Sequence, residues 1–170
     1  MYAVGDLIIY GNTGVCEIEK IESKAMPGSG ESQLYYTIKP LYQSCVIYAP
    51  VEGCRAFMRP IISRQEAQAL IASIAQRQVS AFQGHGFKEI VAHYEKAIQS
   101  HQCADLVDLI MSIYQKKREA LQHRKKFASV DEKYMKRAEE LLFGELAAAL
   151  EIPKEEVQAY IERSLNEVHE

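Results

Sequence analysis

The stretch that decides the fold of the N-terminal part of the chain is Val4–Ser23, VGDLIIYGNTGVCEIEKIES. It contains an apolar run at Leu7–Tyr10, a polar turn at Gly11–Gly14, and a second run in which apolar and polar residues alternate until Ile21 shifts the phase. Alternation is typical of a half-buried strand, and a single shift in phase indicates a β-bulge or a strong bend. The stretch therefore predicts a strand, a tight turn and a bent strand.

The two-residue period continues to about Pro60. Leu34–Pro40 and Cys45–Val51 are rich in β-branched and aromatic residues, and Pro27–Gly30 is a loop between strands. Four or five short strands of this kind are too few for two packed sheets. We therefore expect a small, bent, partly closed β-barrel, because closure removes exposed sheet edges.

At Ser63 the period changes to that of helices. The sequence SRQE at Ser63–Glu66 has the form of a capping box, and SVDE at Ser129–Glu132 has the same form. Phe82–Gly86, with two glycines, predicts a break between helices, and Pro153 predicts the first turn of the last helix. In the second helical segment, the apolar residues expected in phase on the core side are Phe87, Ile90, Val91, Tyr94 and Ile98.

These patterns predict an α+β chain of two domains. Residues 1–62 are expected to form the small bent barrel, and residues 63–170 an all-α helical bundle.

The composition narrows the class of protein. The chain has 170 residues, 48% of them hydrophobic, and a formal net charge of −3, which is ordinary for a globular protein and excludes a global electrostatic case for nucleic-acid binding. No apolar run approaches the roughly 18 residues of a membrane span, and the N-terminus lacks the basic region of a signal peptide. We therefore expect a cytoplasmic protein.

The sequence offers no pattern of a metal site or a catalytic centre. His85, His93 and His101 recur at intervals of eight, but eight residues advance a helix by about 80° beyond two turns, so their rings would fan apart. No G-x-S-x-G, phosphate-binding glycine loop or H-E-x-x-H is present. We expect no metal, no cofactor and no enzymatic activity. The four cysteines, which lack C-x-x-C spacing, are expected to be small buried apolar residues: Cys16, Cys45, Cys54 and Cys103.

Charge is distributed unevenly in the helical half. Between Gln115 and Arg137 nine basic residues face three acidic ones, a balance of +6, whereas after Ala138 the balance is −7. The basic segment spans a helix end, a loop and a helix start near Ser129, so its charges and free N–H groups can converge on backbone phosphates. The alternative is that these residues complement helix dipoles and keep the surface hydrated. The residues alone leave both interpretations open.

Several motifs together resemble those of one family. VGDLIIYGNTGVCEIEKI, YYTIKP, VIYAPVE, an arginine before a short apolar run (FMRPIIS), and the helical SVDEKYMKRAEELLFGELAAAL closely resemble the CarD/CdnL family of bacterial transcription regulators. The same barrel occurs in the transcription-repair coupling factor. Because the resemblance covers nearly the whole chain, it favours the stand-alone regulator over the large coupling ATPase.

The resemblance implies a Tudor-like N-terminal domain that docks on the β subunit of RNA polymerase, partly by adding a strand to the partner's sheet. Matched to the family's motifs, the polymerase-contacting positions are Lys24, Met26 and Tyr48. The residues alone leave open that Tyr48 is a strand aromatic with its ring packed on a neighbour.

For the helical domain, the resemblance implies a position on promoter DNA at the upstream edge of the melted bubble, with a tryptophan as a wedge. This chain has no tryptophan, and the matching position falls close to Gly86, so Phe87 is the nearest apolar candidate for a minor-groove wedge. Its spacing also suits the helix core. The best matches for phosphate contacts are Lys88, Lys125, Lys126, Lys133 and Lys136.

The resulting hypothesis is a non-enzymatic transcription regulator that binds the polymerase β subunit through residues 1–62 and promoter DNA through its basic helical surface. The alternative is a protein-interaction adaptor on RNA polymerase that binds no DNA. We expect a monomer, with a dimer formed by exchange of the early strands as the alternative.

Overall fold

The structure, a computed structural model, describes residues 1–167. The chain divides into two compact units, which we call the sheet unit (Met1–Ile61) and the helical unit (from Ile62 onward). Each unit has its own apolar core. The prediction of strands followed by helices in an α+β chain is confirmed.

The sheet unit is a five-stranded antiparallel sheet. Its neighbouring strands follow the order β4-β3-β2-β1-β5. The strands are β1 (Leu7–Tyr10), β2 (Gly14–Ala25), β3 (Ser32–Pro40), β4 (Ile47–Pro50) and β5 (Met58–Pro60). One face of the sheet carries a buried cluster formed by Ile8, Cys16, Ile18, Tyr36, Ile38 and Ala49.

The predicted irregularity in the second strand is confirmed. The register between β2 and β3 shifts between Ile18 and Lys20, as a β-bulge requires. Ile18 is fully buried, and Ile21, three residues later, packs against the same cluster. Side chains three apart on a regular strand point to opposite faces, so the bulge is what lets both isoleucines serve one core.

Closure of the sheet into a barrel is not observed. Among the described residues, β4 and β5 form the two edges and do not pair with each other. They have only four and three residues, and they end in Pro50 and Pro60, which have no N–H to donate. Two such short strands offer too few ladder hydrogen bonds to close the sheet.

The helical unit contains helices α1 (Arg64–Ser73), α2 (Phe87–Gln99), α3 (Cys103–Gln122), α4 (Ser129–Leu150) and α5 (Val157–Glu167), with 3-10 turns at Ile74–Gln76 and Lys154–Glu156. The predicted break at Phe82–Gly86 is the end of a longer non-helical segment, residues 77–86. Pro153 stands before the second 3-10 turn and not inside the first turn of α5. Over residues 1–167 no helix has the length and apolar character needed to cross a bilayer.

The two predicted capping boxes have different outcomes. The Glu66 N–H donates to Ser63 Oγ (3.1 Å), and the Ser63 N–H donates to Glu66 Oε2 (2.7 Å), so the first is confirmed. The second is wrong, because α4 begins one residue early, with Ala128 at the N-cap and no side-chain cap. The physical reason lies in Asp131, which is drawn into the interior by hydrogen bonds from other helices and fixes the first turn of α4.

The prediction of four buried cysteines is half right. Cys16 and Cys103 are buried, whereas Cys54 is half-buried and Cys45 is exposed. Cys45 lies in the connection before β4, and Cys54 lies in the connection after it, where it packs at the margin of the buried cluster. Among residues 1–167, no three histidine, cysteine or acidic side chains are grouped so that they can hold a metal ion.

Candidate functional site

The first candidate surface lies on the sheet unit, where Lys24 and Tyr48 meet. Tyr48 belongs to the edge strand β4, and 57% of its surface is exposed. The Nζ atom of Lys24 lies 3.5 Å from the centroid of the Tyr48 ring. The neighbour on which Tyr48 packs is therefore an ammonium group, which a ring face attracts by about 0.5–1 kcal/mol at an exposed site.

Met26 follows directly after β2, where the β2–β3 hairpin turns. Its side chain is 39% exposed, and its N–H donates to the carbonyl of Glu31 (2.8 Å), which closes the turn. The structure thus brings Lys24 and Tyr48 into contact and places Met26 two residues beyond Lys24. Leu34, on β3 of the same hairpin, is also 45% exposed. The sequence did not predict this exposure, because Leu34 lies in an apolar run.

The outer edge of β4 is open. On that side, the backbone N–H and C=O groups of Ile47–Pro50 have no partner strand within the described part of the chain. An open edge of this kind can accept a strand from another protein through backbone hydrogen bonds. Tyr48 lies in the middle of that edge.

The second candidate surface lies on the helical unit and begins with Phe87. The expectation that Phe87 packs in the core is wrong, because 69% of its surface is exposed at the first position of α2. The segment before α2 packs on a neighbouring face of this helix. Phe82 stacks on His93 (centroids 3.7 Å apart, planes at 4°), and a Cβ added at Gly84 would lie 2.6 Å from Ile90.

The lysines of this surface lie on two elements besides α2. Lys125 and Lys126, in the connection between α3 and α4, line one depression of about 270 Å³ that also includes Gln83. Lys133 and Lys136 are both exposed and lie one turn apart on α4, so they share a face of that helix.

Contacts between α2 and α4 show that these residues share one end of the helical unit. The Tyr94 hydroxyl donates to Asp131 in the first turn of α4 (2.6 Å), and Lys116 of α3 donates to the same carboxylate (3.1 Å). Gln83, just before α2, lines the same depression as Lys125 and Lys126, just before α4. The segment before α2 and the start of α4 therefore lie close together. We call this end the basic end; its residues are Phe87, Lys88, Lys125, Lys126, Lys133 and Lys136.

Two of the nine basic residues of the sequence segment do not face solvent freely. Lys116 is 23% exposed and pairs with Asp131 (3.1 Å), and the Arg137 guanidinium pairs with Glu95 (2.8 Å). The other seven are exposed: Lys117, Arg118, Arg124, Lys125, Lys126, Lys133 and Lys136. Lys117, Arg118 and Arg124 were not predicted to contact DNA, although they lie in the same basic segment of the sequence.

A buried polar network holds the three helices of the basic end together. Asp131, 1% exposed, accepts hydrogen bonds from Tyr94 on α2 and Lys116 on α3. Burial, followed by the bond to Asp131, raises the pKa of Tyr94. The hydrogen bond from Tyr134 and, after it, Arg137 lower the pKa of Glu95 against the opposing effect of burial. The network fixes the start of α4, and with it the positions of the exposed lysines.

Comparison with known proteins bears on the sheet unit. Residues 2–62 match the family model of the CarD-like/TRCF RID domain, a span that contains all five strands. No curated protein matches the chain. The match indicates a transcription-related protein that interacts with RNA polymerase, and the helical unit lies outside it. Residues 2–62 are thus similar to the CarD-like/TRCF RID domain.

Proposed function

We propose that the protein is a non-enzymatic transcription regulator that docks on the β subunit of RNA polymerase through its sheet unit and contacts promoter DNA, near the upstream edge of the bubble, through its basic end. The observation that carries the proposal is the RID-domain match over residues 2–62. The open edge and the exposed residues beside it supply the physical means of docking.

Docking by strand addition uses the open edge of β4 and the exposed side chains beside it. Backbone groups on the outer edge of β4 provide affinity for an extended partner strand, and alternate side chains provide specificity. Tyr48 has the exposed area expected of an anchor residue, and Lys24 adds a positive charge beside it. Because Lys24 is already held over the ring, less conformational entropy is lost when a partner binds.

Contact with DNA is supported by the basic end. Its exposed lysines can neutralise phosphates, and the free ring of Phe87 at the tip of α2 is an apolar group that can enter a widened groove. Because the chain's formal net charge is −3, attraction to DNA depends on a local basic surface such as this one.

The proposal is tested by binding of the full chain to the isolated β-subunit lobe, with and without an upstream-fork promoter fragment, at two salt concentrations. We expect tight binding to the lobe that the fork strengthens, with the gain abolished at the higher salt. Tyr48→Ala is expected to weaken binding to the lobe about tenfold or more, since exposed aromatic anchors commonly contribute over ~1.4 kcal/mol.

Leu121→Ala, a truncation of an exposed apolar residue on α3, serves as the control and should leave lobe binding unchanged. Absence of lobe binding would contradict the docking proposal. Lobe binding to which the fork adds nothing would contradict DNA contact and leave the adaptor function.

A further inference from the structure

An apolar groove lies in the helical unit between α3, α4, α5 and the segment after α1, and none of the residues assigned to DNA contact lines it. Its volume is about 720 Å³, within the roughly 300–1,000 Å³ typical of small-molecule sites. Its apolar lining comes mainly from Ile110, Met111 and Tyr114 on α3, Leu142 and Phe143 on α4, and Ile161 on α5.

The groove follows from the phase of the helices. The α3 residues that line it recur three and four apart, so they form one stripe along the helix. Leu142 at the floor is buried, but Ile110 and Met111 are only half-buried and Tyr114 is 52% exposed. The stripe therefore presents apolar surface to solvent that no described part of the chain covers, and an apolar ligand would gain from covering it.

One carboxylate in the groove has no partner. Glu139, on α4, is half-buried between Met135 and Phe143, and no side chain of residues 1–167 forms an ion pair or a hydrogen bond with it. Burial raises its pKa, an effect that the charge of Lys117 opposes in part. A carboxylate that is partly desolvated and unpaired is stabilised by any cation brought close to it.

The other charged residues of the groove are already matched or hydrated. Arg77 pairs with Asp108 (2.8 Å), and Glu162 accepts a hydrogen bond from Gln158 (3.3 Å). Arg118 is exposed at the α3 lip, where water solvates its guanidinium. The unmatched charge in the apolar part of the groove is therefore negative.

From this arrangement we infer that the groove binds a small apolar molecule that carries a positively charged amine, with Glu139 as its counter-ion. The apolar body covers the exposed stripe of α3 and the side chain of Ile161, while the amine lies at Glu139. A neutral molecule of the same size gains only the apolar contact, and an anionic one is opposed by Glu139. The groove shares no lining residue with the surfaces assigned to polymerase docking and to DNA contact.

The test compares octylamine, octanol and octanoate, which share one alkyl chain and differ in charge. Binding to the full chain is followed by NMR of methyl-labelled methionines, because the five methionines provide an internal reference. Met111 and Met135 line the groove, whereas the other three lie in the sheet unit at positions 1, 26 and 58. We expect octylamine to shift the Met111 and Met135 signals saturably, at least about tenfold more tightly than octanol or octanoate.

Glu139→Gln is expected to reduce octylamine affinity to that of octanol and to leave octanol affinity unchanged. Glu140→Gln, at the exposed neighbouring position of α4, is the matched control and should change neither. The inference is overturned if octylamine shifts no groove methionine, if it shifts all five alike, if octanoate binds more tightly, or if Glu139→Gln behaves like Glu140→Gln.

Discussion

The residue that organises the helical unit is Asp131, a carboxylate that is 1% exposed and held by Tyr94 and Lys116. Replacing Tyr94 with Phe removes one charge-assisted hydrogen bond, so we expect Tyr94→Phe to lower the free energy of unfolding by about 1.5–3 kcal/mol. Urea denaturation measures the change. Tyr134→Phe removes a hydrogen bond to the half-exposed Glu95 and should lower the free energy of unfolding by less. A reduction equal to or larger than that of Tyr94→Phe would contradict the central role of Asp131.

A second prediction at the residue scale concerns pH and His93. Burial, followed by the charge of Lys96, lowers the pKa of His93, whose ring stacks on Phe82. The folded protein therefore takes up this proton less readily than the unfolded chain. The stability associated with His93 is fully present above about pH 6.5, the unfolded pKa, and is lost as the pH falls through the folded pKa.

NMR titration of the histidine rings should give His93 a pKa below 6.5. In urea denaturation near pH 7.5 and pH 5.5, His93→Gln should lose less stability on acidification than the unmodified protein. An identical loss in both proteins would show that the stacked ring does not contribute to the pH dependence.

The positions of two single residues could not be predicted from local sequence patterns. Asp131 looks like part of a cap because the pattern S-x-x-E reports local spacing, while its partners lie 37 and 15 residues away. Phe87 is in phase with the core residues of α2, but it is exposed, and residues of the preceding segment contact the helix at His93 and Ile90. In both cases a contact distant in sequence decides the position, and local periodicity carries no information about it.

At the scale of elements, the two S-x-x-E sequences provide a matched pair of helix starts. Ser63 caps α1 through a complete capping box, whereas Ser129 is the first residue of α4 and caps nothing. We expect Ser63→Ala to lower the free energy of unfolding by about 1 kcal/mol. Ser129→Ala should change it by less than ~0.5 kcal/mol, since alanine is the better helix former. Urea denaturation of both variants distinguishes the two starts, and equal losses would contradict the assigned N-caps.

The strands were predictable to different degrees for a related reason. The bulge in β2 is visible as a phase shift within a few residues, and the sequence locates it correctly. Barrel closure depends on whether β4 and β5 pair, and these strands are too short and too distant from each other for alternation to decide it. Likewise, the basic segment is evident from composition, but the inward turn of Lys116 and Arg137 depends on carboxylates of other elements.

At the scale of the whole molecule, the two proposed activities belong to units with separate cores. A substitution of an exposed residue that leaves the core of its unit intact should therefore change only the activity of that unit. The effects of substitutions at distant, independent sites add. Polymerase docking depends on the edge of β4, and DNA contact depends on charge at the basic end. Salt dependence distinguishes the two, since only the second releases counterions from DNA.

Lys125→Gln/Lys126→Gln in the full chain should therefore reduce the salt slope of fork binding by about 2, because each phosphate that a lysine neutralises adds roughly 0.9 to that slope, while affinity for the β-subunit lobe stays the same. Lys96→Gln/Arg163→Gln removes the same charge from exposed positions in the last turn of α2 and on α5, and it should leave the slope nearly unchanged. Equal slopes for the two double variants would mean that DNA responds to total charge and not to the basic end. A parallel fall in lobe affinity would mean that the two activities share one surface.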